Sequence, residues 1–507
     1  MKFSLYIFFL ITNQFASQAQ DYNILAYGAK ADARLNDEVG QGKTINTTAI
    51  QSAIDAANKN GGGRVIIPEG IFLTGSIILK SNVELHLEEK AVLLGSTNRD
   101  HYLKLNRWLS LILADNQNNI SITGKGKIDG QGHRLALNID SLFYIGQLDS
   151  ASYNFADKRP SHFVRPQLIE FVQCKNIVVK NVTLLNAACW VQTYDQCSNI
   201  LLDSVTVNSD AYWNNDGIDI QDCHNVRVTN CNVNSADDGI CLKSQSAEHN
   251  CDSIYIANCT VRSSASAIKF GTVSHGGFKN VTIVNVKIYD TFRSAIAIEC
   301  VDGGTLENIL VDGISALKTG NAIFIRLGER TKTQNGGVLK NVTIKNMKVQ
   351  VPYGSPDHAY QYPGPQLPYP HNTFPSSITG IPNHRVENVT LENIEINYQG
   401  GGDILIANSP LSKLDSVPEQ EKNYPEFSMF GELPAWGFYV RHMDGLTMKN
   451  IKVSIAETDY RPAFVFDDVK NLNIDSVTAT GFVKSKYLVL HNTENVMIDN
   501  KQAVLKL

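Results

Sequence analysis

The sequence predicts an all-β chain wound as a right-handed parallel β-helix, a single solenoid with an N-terminal capping helix. Three observations predict it. First, Asn followed by alternating β-branched or aliphatic residues recurs at Asn119-Ile120-Ser121-Ile122, Asn176-Ile177-Val178-Val179, Asn199-Ile200-Leu201-Leu202, Asn225-Val226-Arg227-Val228, Asn280-Val281-Thr282-Ile283, Asn341-Val342-Thr343-Ile344, Asn388-Val389-Thr390-Leu391, Asn471-Leu472-Asn473-Ile474 and Asn495-Val496-Met497-Ile498. The neighbours Asn176/Asn199, Asn199/Asn225 and Asn471/Asn495 lie 23 to 26 residues apart, a period of the kind that marks a solenoid. Second, the period-two runs are short and separated by Asn, Gly, Ser and Asp, as suits strands that stack coil on coil. Third, helical periodicity is almost absent.

In chain order, residues 1–19 read as a secretory signal peptide. Lys2 precedes the apolar run Leu5-Tyr6-Ile7-Phe8-Phe9-Leu10-Ile11, and Ser17-Gln18-Ala19 leads into a polar start. The run is too short to span a bilayer as a mature anchor, so the expected location is secreted or periplasmic. Thr47-Thr48-Ala49-Ile50-Gln51-Ser52-Ala53-Ile54-Asp55-Ala56-Ala57 has apolar residues at helical spacing, and Gly61-Gly62-Gly63 ends it ahead of the strand Arg64-Val65-Ile66-Ile67-Pro68. A helix there covers the open end of a solenoid, which otherwise exposes unpaired backbone and apolar rungs.

The coils follow, interrupted at about 350–385 and 400–440. The first insertion holds eight of the sixteen prolines, with Tyr353, Tyr360, Tyr362, Tyr369 and Phe374, a composition too stiff and aromatic for a featureless linker. The second carries Tyr424-Pro425-Glu426-Phe427 and Met429-Phe430-Gly431-Glu432-Leu433-Pro434-Ala435-Trp436. Loops of this length are commonly functional, so they serve either as walls of a groove or as shields for the solenoid's apolar flank. Residues 20–507 are read as one domain, because solenoids lengthen by adding coils rather than a second core.

A net charge of −5 without a basic cluster gives no footprint for nucleic acid, and no polybasic patch addresses a membrane. A monomer is expected. The nine cysteines include no Cys-x-x-Cys metal spacing. Cys174, Cys197, Cys223 and Cys251 recur near coil boundaries, and they read as an inward ladder of small thiols in preference to a disulfide framework. Triplets such as Asn280-Val281-Thr282 mark strand starts and are poor evidence for glycosylation.

The chemistry is carried by Trp213-Asn214-Asn215-Asp216-Gly217-Ile218-Asp219 and by the pair Asp237-Asp238, which begins 21 residues after Asp216. Three carboxyls within about one repeat are what an inverting glycosidase needs: an acid to protonate the leaving oxygen and carboxylate to activate water. Coils stack about 4.8 Å apart, so Asp216 and Asp237 can converge on one groove. Adjacent strand residues face opposite ways. Asp237 and Asp238 share the groove only if the chain bends, which Gly239 permits.

Tyr27-Gly28-Ala29-Lys30, the helix with its triple glycine, Pro68-Glu69-Gly70, Leu73-Thr74-Gly75 and Ile128-Asp129-Gly130-Gln131-Gly132 resemble the N-terminal half of family 28 glycoside hydrolases, the polygalacturonase family. Asn215-Asp216-Gly217 and Asp237-Asp238 are similar to that family's catalytic motifs. The resemblance runs from about Asn23 through the last coils. It implies that Asp237 is the general acid, that Asp216 and Asp238 hold and activate water, that Asn215 and Lys243 line the substrate, and that the reaction inverts without metal or cofactor. The implied partner is a pectin-like polysaccharide or oligosaccharide.

Two departures from the family pattern stand out. Where the family places a Gly-His-Gly histidine, this chain has Ala265 or Ser266, depending on register, with His275 nearby as a candidate replacement. The family's Arg-Ile-Lys, which binds a galacturonate carboxylate, aligns with Ala297-Ile298-Glu299. Losing both cations removes charge-assisted contacts to an acidic sugar, and Glu299 adds repulsion. Plain polygalacturonan is therefore not the expected substrate. For Glu299 two readings stay open: a groove residue that meets sugar hydroxyls or moves a proton, and a strand-edge acid facing solvent. Lys269, Arg326 and Arg330 are candidates to rebuild an anionic-sugar subsite. Two other classes share the architecture: a polysaccharide lyase with Lys243 or Lys269 as base and the aspartates on a metal, and a non-catalytic carbohydrate-binding solenoid.

Overall fold

The computed structural model describes residues 20–35, 43–332, 336–352, 374–405, 411–481 and 487–502. Among the described residues the chain is all-β with two long helices, and 33 strands join in one network. Nearly all pairings are parallel, and each joins a strand to its counterpart one coil later. Along one track Ile120, Ile177, Ile200, Val226, Ile254 and Val281 stand in register. None of these is more than 2% exposed. The residue two positions on repeats the pattern with Ile122, Val179, Leu202, Val228, Ile256 and Ile283, so alternate side chains of every coil pile into one apolar core.

The recurring asparagine has a backbone cause. Asn119, Asn176, Asn199, Asn225 and Asn280 all adopt left-handed φ values of 53–57°, a conformation that Asn tolerates far better than other residues with a side chain. The amides also donate to their counterparts one coil earlier, Asn176 to Asn119 at 2.9 Å, Asn199 to Asn176 at 2.9 Å and Asn225 to Asn199 at 2.8 Å, while Asn280 donates to Asp252 at 2.8 Å. The repeat therefore marks a corner of the coil closed by an amide ladder. A second ladder runs from Asn450 through Asn393 and Asn346 to Asp312.

The helix Thr47–Lys59 buries Ile50, Ala53, Ile54 and Ala57 in the core beside Ile24 and Val65. It ends where Gly62 N donates to Ala57 O at 2.9 Å. Gly61, Gly62 and Gly63 follow with φ of 89°, 133° and 154°, a run open only to glycine. A second helix, Gly132–Tyr144, lay outside the sequence reading. Its buried stripe of Leu135, Ala136 and Ile139 is short, and it sits among period-two segments that mask it.

All nine cysteines are free and buried. Cys197, Cys223 and Cys251 each point Sγ at a carbonyl of the preceding coil, those of Phe171, Tyr194 and Ile220 at 3.2–3.4 Å. The thiol ladder holds, and no disulfide is made. The proposed signal segment 1–19 and Tyr353, Tyr360, Tyr362 and Tyr369 lie outside the described residues. Among the described residues no helix is long and apolar enough to cross a membrane.

The second insertion lies on the outer face of the later coils. Leu414, Val417, Phe427, Phe430 and Leu433, with Phe374 from the first insertion, pack on the outward side chains Ala297, Phe324, Tyr439 and Val465. This buried seam fixes the inserted segment to the coils.

The ladder predicts a selective stability effect. Asn199→Ala should lose about 1–2 kcal/mol, because it puts a Cβ residue with no compensating amide at left-handed φ. Asn199→Gly should lose less, since only the ladder bonds go. Chemical denaturation of the two variants measures this, and an Ala variant as stable as the Gly variant would contradict it.

Candidate active site

Five elements position the site: β1 (Gln192–Asp195), β2 (Ile218–Gln221), β3 (Ile240–Ser244), β4 (Ile268–Ser274) and β5 (Gly277–Cys300). In register across them stand Thr193, Asp219, Cys241, Lys269 and Ala297. Asp195, Gln221 and Lys243 form the next outward row. Just before β2 and β3 the turns themselves stack: Gly217 N donates to Asp238 O and Gly239 N to Ser266 O, both at 2.9 Å. Asp216, Asp238 and Ser266 thus occupy equivalent places on three coils, and Asn215, Asp237 and Ala265 occupy the places before them.

Gly217 and Gly239 are required by space. A Cβ on Gly217 would lie 2.5 Å from Val233 and 2.6 Å from Gly239 O, and one on Gly239 would lie 2.4 Å from Val261 and 2.6 Å from Ala267 O. Neither has positive φ. The bend that aims both Asp237 and Asp238 at the cluster comes from close stacking of the turns, not from glycine's left-handed freedom.

Four carboxyls meet here. Lys243 Nζ lies 2.9 Å from Asp216 Oδ2, hydrogen-bonds Asp219, sits 3.2 Å from Cys241 Sγ and packs 4.4 Å from the Trp190 ring centre. Lys269 Nζ lies 3.1 Å from Asp238 Oδ2 and 3.1 Å from the Tyr424 hydroxyl. Asp238 also accepts from Ser266 N at 3.1 Å, so a backbone amide stands at the position where the sequence lacks a histidine. Asp237 accepts from Asn214 Nδ2 at 3.3 Å and from Asp238 N at 3.0 Å. Among the described residues no cation forms an ion pair with it.

These surroundings split the two adjacent aspartates. Burial, with the Asp238 charge next, raises the Asp237 pKa. Burial also opposes ionisation of Asp238, but Lys269, Lys243 and Arg293 outweigh it and hold that carboxyl below its ordinary value. Asp219 is pushed up to about 6 by burial, against the pull of Lys243. Lys243 stays charged because Asp216 and Asp219 overcome its burial. Pairs of acids driven apart in this way are the signature of acid/base division of labour. Asp216, Asp238 and Cys241 each place one donor atom within 4.8 Å of the others. These are possible metal ligands, but Lys243 and Lys269 already neutralise the two aspartates.

The other sequence candidates scatter. Glu299 belongs to the cluster: it is 2% exposed, and its Oε2 lies 3.3 Å from Thr272 Oγ1. Burial raises it to about 8 against the pull of Lys269, so the solvent-facing reading is excluded. Asn215 is fully buried. Its amide accepts from Ala211 N, Tyr212 N and Ser209 and donates to the Ala187 and Cys189 carbonyls. It therefore builds the turn that carries Asp216. Arg326 donates to Gly380 O at 2.9 Å and Glu419 O at 2.7 Å, pinning the second insertion. Arg330 makes a bidentate pair with Asp302 at 2.9 and 2.6 Å. Arg326 is committed to the insertion, and Arg330, although its charge reaches Glu299 and Tyr424, is committed to Asp302. His275 sits half-buried in the turn between β4 and β5.

Sequence reasoning missed Asp219, Trp190, Arg293, Tyr424 and Glu426 as site residues. Asp219 was within reach, since it lies one coil before Cys241 and two before Lys269. Arg293 and Glu426, 2.6 Å apart, come together only when the second insertion docks, and no repeat encodes that contact.

Stacked coils of parallel strands thus carry a buried carboxyl cluster beside Trp190 and Tyr424. Residues 59–355 match glycosyl hydrolases family 28, and the chain belongs to that family. It is 28% identical over 334 residues to a probable polygalacturonase of Vitis vinifera, covering 62% of this chain and 59% of the relative. It is also 28% identical over 257 residues to an exo-poly-alpha-D-galacturonosidase of Dickeya chrysanthemi, covering 43% and 41%. The chain thus spans less than two thirds of these relatives' length. An exopolygalacturonase structure from Thermotoga maritima shares the fold with a TM-score of 0.59, at 21% identity over 86% of this chain and 91% of that one.

Glu299 supplies a pH test. The folded chain keeps this proton up to about pH 8, whereas an ordinary glutamate releases it near 4.5. Between those values folding binds a proton, so the Glu299 contribution to stability falls as pH rises. Glu299→Gln should therefore unfold at a higher temperature than the wild type above pH 8 and at an equal one near pH 4. Identical melting curves at both pH values would show that Glu299 is not buried in this way.

Proposed function

We propose that the protein is an exported, inverting glycoside hydrolase that acts on a pectin-like or related polysaccharide, with plain polygalacturonan a poor substrate. In this reading residues 1–19 are a signal peptide. Residues 20–507 form one right-handed β-helix domain that works as a monomer, and the helix Thr47–Lys59 covers its first coil. The observation that carries the reaction is the split between adjacent Asp237, raised and free of any ion pair, and Asp238, held ionised by Lys269.

Asp237 donates its proton to the glycosidic oxygen as the bond to the leaving sugar breaks. On the opposite face of the ring Asp216 and Asp238, with oxygens within 4.8 Å of each other, hold one water between them. The ionised Asp238 takes its proton as the water oxygen attacks the anomeric carbon, so the configuration inverts. Lys243 fixes Asp216 and Asp219 in place and keeps the cluster from repelling itself apart. Neutral sugars are favoured because Ala297 and Glu299 stand where the family's cationic clamp belongs, and Ala297 is covered by the docked insertion.

Two outcomes follow. Asp237→Asn should abolish turnover of natural polysaccharide while sparing far more activity on an aryl glycoside whose leaving group needs no proton, because general acid catalysis contributes about 10²–10⁴-fold. Asp216→Asn and Asp238→Asn should damage both substrates alike. Equal loss on both substrates for Asp237→Asn would place the acid elsewhere. For specificity, a panel of pectic and neutral polysaccharides should show branched or neutral-sugar polymers cut faster than polygalacturonan, with activity retained in chelator. Turnover of polygalacturonan at the faster rate would refute the neutral-sugar assignment.

A further inference from the structure

Arg293 lies in β5, and its backbone N donates to Ala265 O at 2.9 Å, which places it in the column of Asn215, Asp237 and Ala265. Its charge reaches Asp237 and Asp238, its Nη1 is held by Glu426, and its Nε is buried with no hydrogen-bond partner among the described residues. Glu426 Oε2 lies 2.6 Å from Arg293 Nη1, with the two side chains only 14% and 9% exposed. Glu426 arrives from the second insertion together with Tyr424, a residue 51% exposed whose hydroxyl meets Lys269. Three cations beside Asp237 and Asp238 are thus matched by an acid: Lys243 by Asp216 and Asp219, Lys269 by Asp238, and Arg293 by Glu426. Arg165, whose charge also reaches Asp237, is committed instead to the Pro160, Ala188 and Trp213 carbonyls and the Asn214 amide. Glu299 adds a further buried acid next to Lys269.

A sugar carboxylate entering beside Asp237 would have to displace Glu426 from Arg293 or meet it head-on, and like charges brought together in a poorly solvated site repel strongly. We infer that Glu426 sets the sugar class: its carboxylate fills, on Arg293, the place a uronate carboxylate would take, and so restricts the ring beside Asp237 to an uncharged sugar. The ring of the exposed residue Tyr424 supplies an apolar face for that sugar. The second insertion therefore delivers specificity as well as cover. This rests on the reading that Asp237 addresses a glycosidic oxygen.

The test is binding of trigalacturonate and of its fully methyl-esterified counterpart to the full chain, by titration calorimetry. The wild type should prefer the ester. Glu426→Gln should tighten trigalacturonate binding about ten- to a hundredfold, the range of a charge-assisted hydrogen bond, and leave the ester's affinity unchanged. Glu426→Gln/Arg293→Gln should cancel that gain, which separates the freed cation from mere widening of the site. Should the Gln variant fail to fold, Glu426→Ala carries the same expected direction. An unchanged acid-to-ester ratio in the folded variant, or a gain that survives loss of Arg293, overturns the inference. Because the readout is affinity, failure of the hydrolase assignment would show separately, as absent hydrolysis with the ratio still shifted.

Discussion

Parallel hydrogen bonding from coil to coil fixes where every other feature of this protein can sit. A side chain on one coil has its counterpart about 4.8 Å above and below, and alternate residues point in or out. Inward positions therefore become continuous stacks of Ile, Val and Leu, and outward positions become rows of functional groups. The corner asparagines keep that register. A slip by one residue would turn the aliphatic stack outward and bring the charged row into the core. The four carboxyls and two lysines of the site are a consequence of this spacing, since Asp219, Cys241 and Lys269 are consecutive members of one row.

Such proximity is costly unless the charges are balanced. Removing one partner of a buried ion pair leaves an uncompensated charge worth about 3–5 kcal/mol. Here Lys243 sits between Asp216 and Asp219, and Lys269 is bonded to Asp238. Among the described residues Asp237 has no ion pair, and burial with the Asp238 charge raises its pKa; burial also raises Asp216 and Asp219 against the pull of Lys243. The lysines thus hold the cluster together, and Lys269 favours the ionised form of Asp238. In the proposed reading the same pairing of Lys243, Lys269 and Arg293 with acids of the chain disfavours an acidic sugar, so stability and specificity would share one electrostatic origin.

Much of this was legible in the sequence because the repeat carries it. The period of the Asn motif indicates the coil length, and that register lets Asp216 and Asp237 converge on one groove, with Asp238 joining them if the chain bends; Lys243 is marked by the family resemblance, and Lys269 reads as part of a separate anionic-sugar subsite. The helix at Thr47–Lys59 was marked by its own spacing and its glycines. What stayed hidden depends on partners far apart in the chain. Arg326 and Arg330 read as candidate sugar ligands because their sequence neighbours are strand residues, yet each is claimed by a distant group, the Gly380 and Glu419 carbonyls in one case and Asp302 in the other. Glu299 could not be placed without knowing that the second insertion would bury its surroundings. Glu426 and Tyr424 have no periodic signal at all. Asn215 shows a different limit, because proximity to a catalytic aspartate does not separate a residue that touches substrate from one that folds the turn beneath it.

The central claim is that Asp237 acts as acid while Asp216 and Asp238 direct water at the opposite face of the sugar. The most direct measurement is the anomeric configuration of the first product, followed by proton NMR within minutes of adding enzyme, before mutarotation scrambles it. The account predicts that the new reducing end appears first with configuration opposite to that of the bond cleaved. A first product that keeps the substrate's configuration, or one that carries a new double bond, would contradict it.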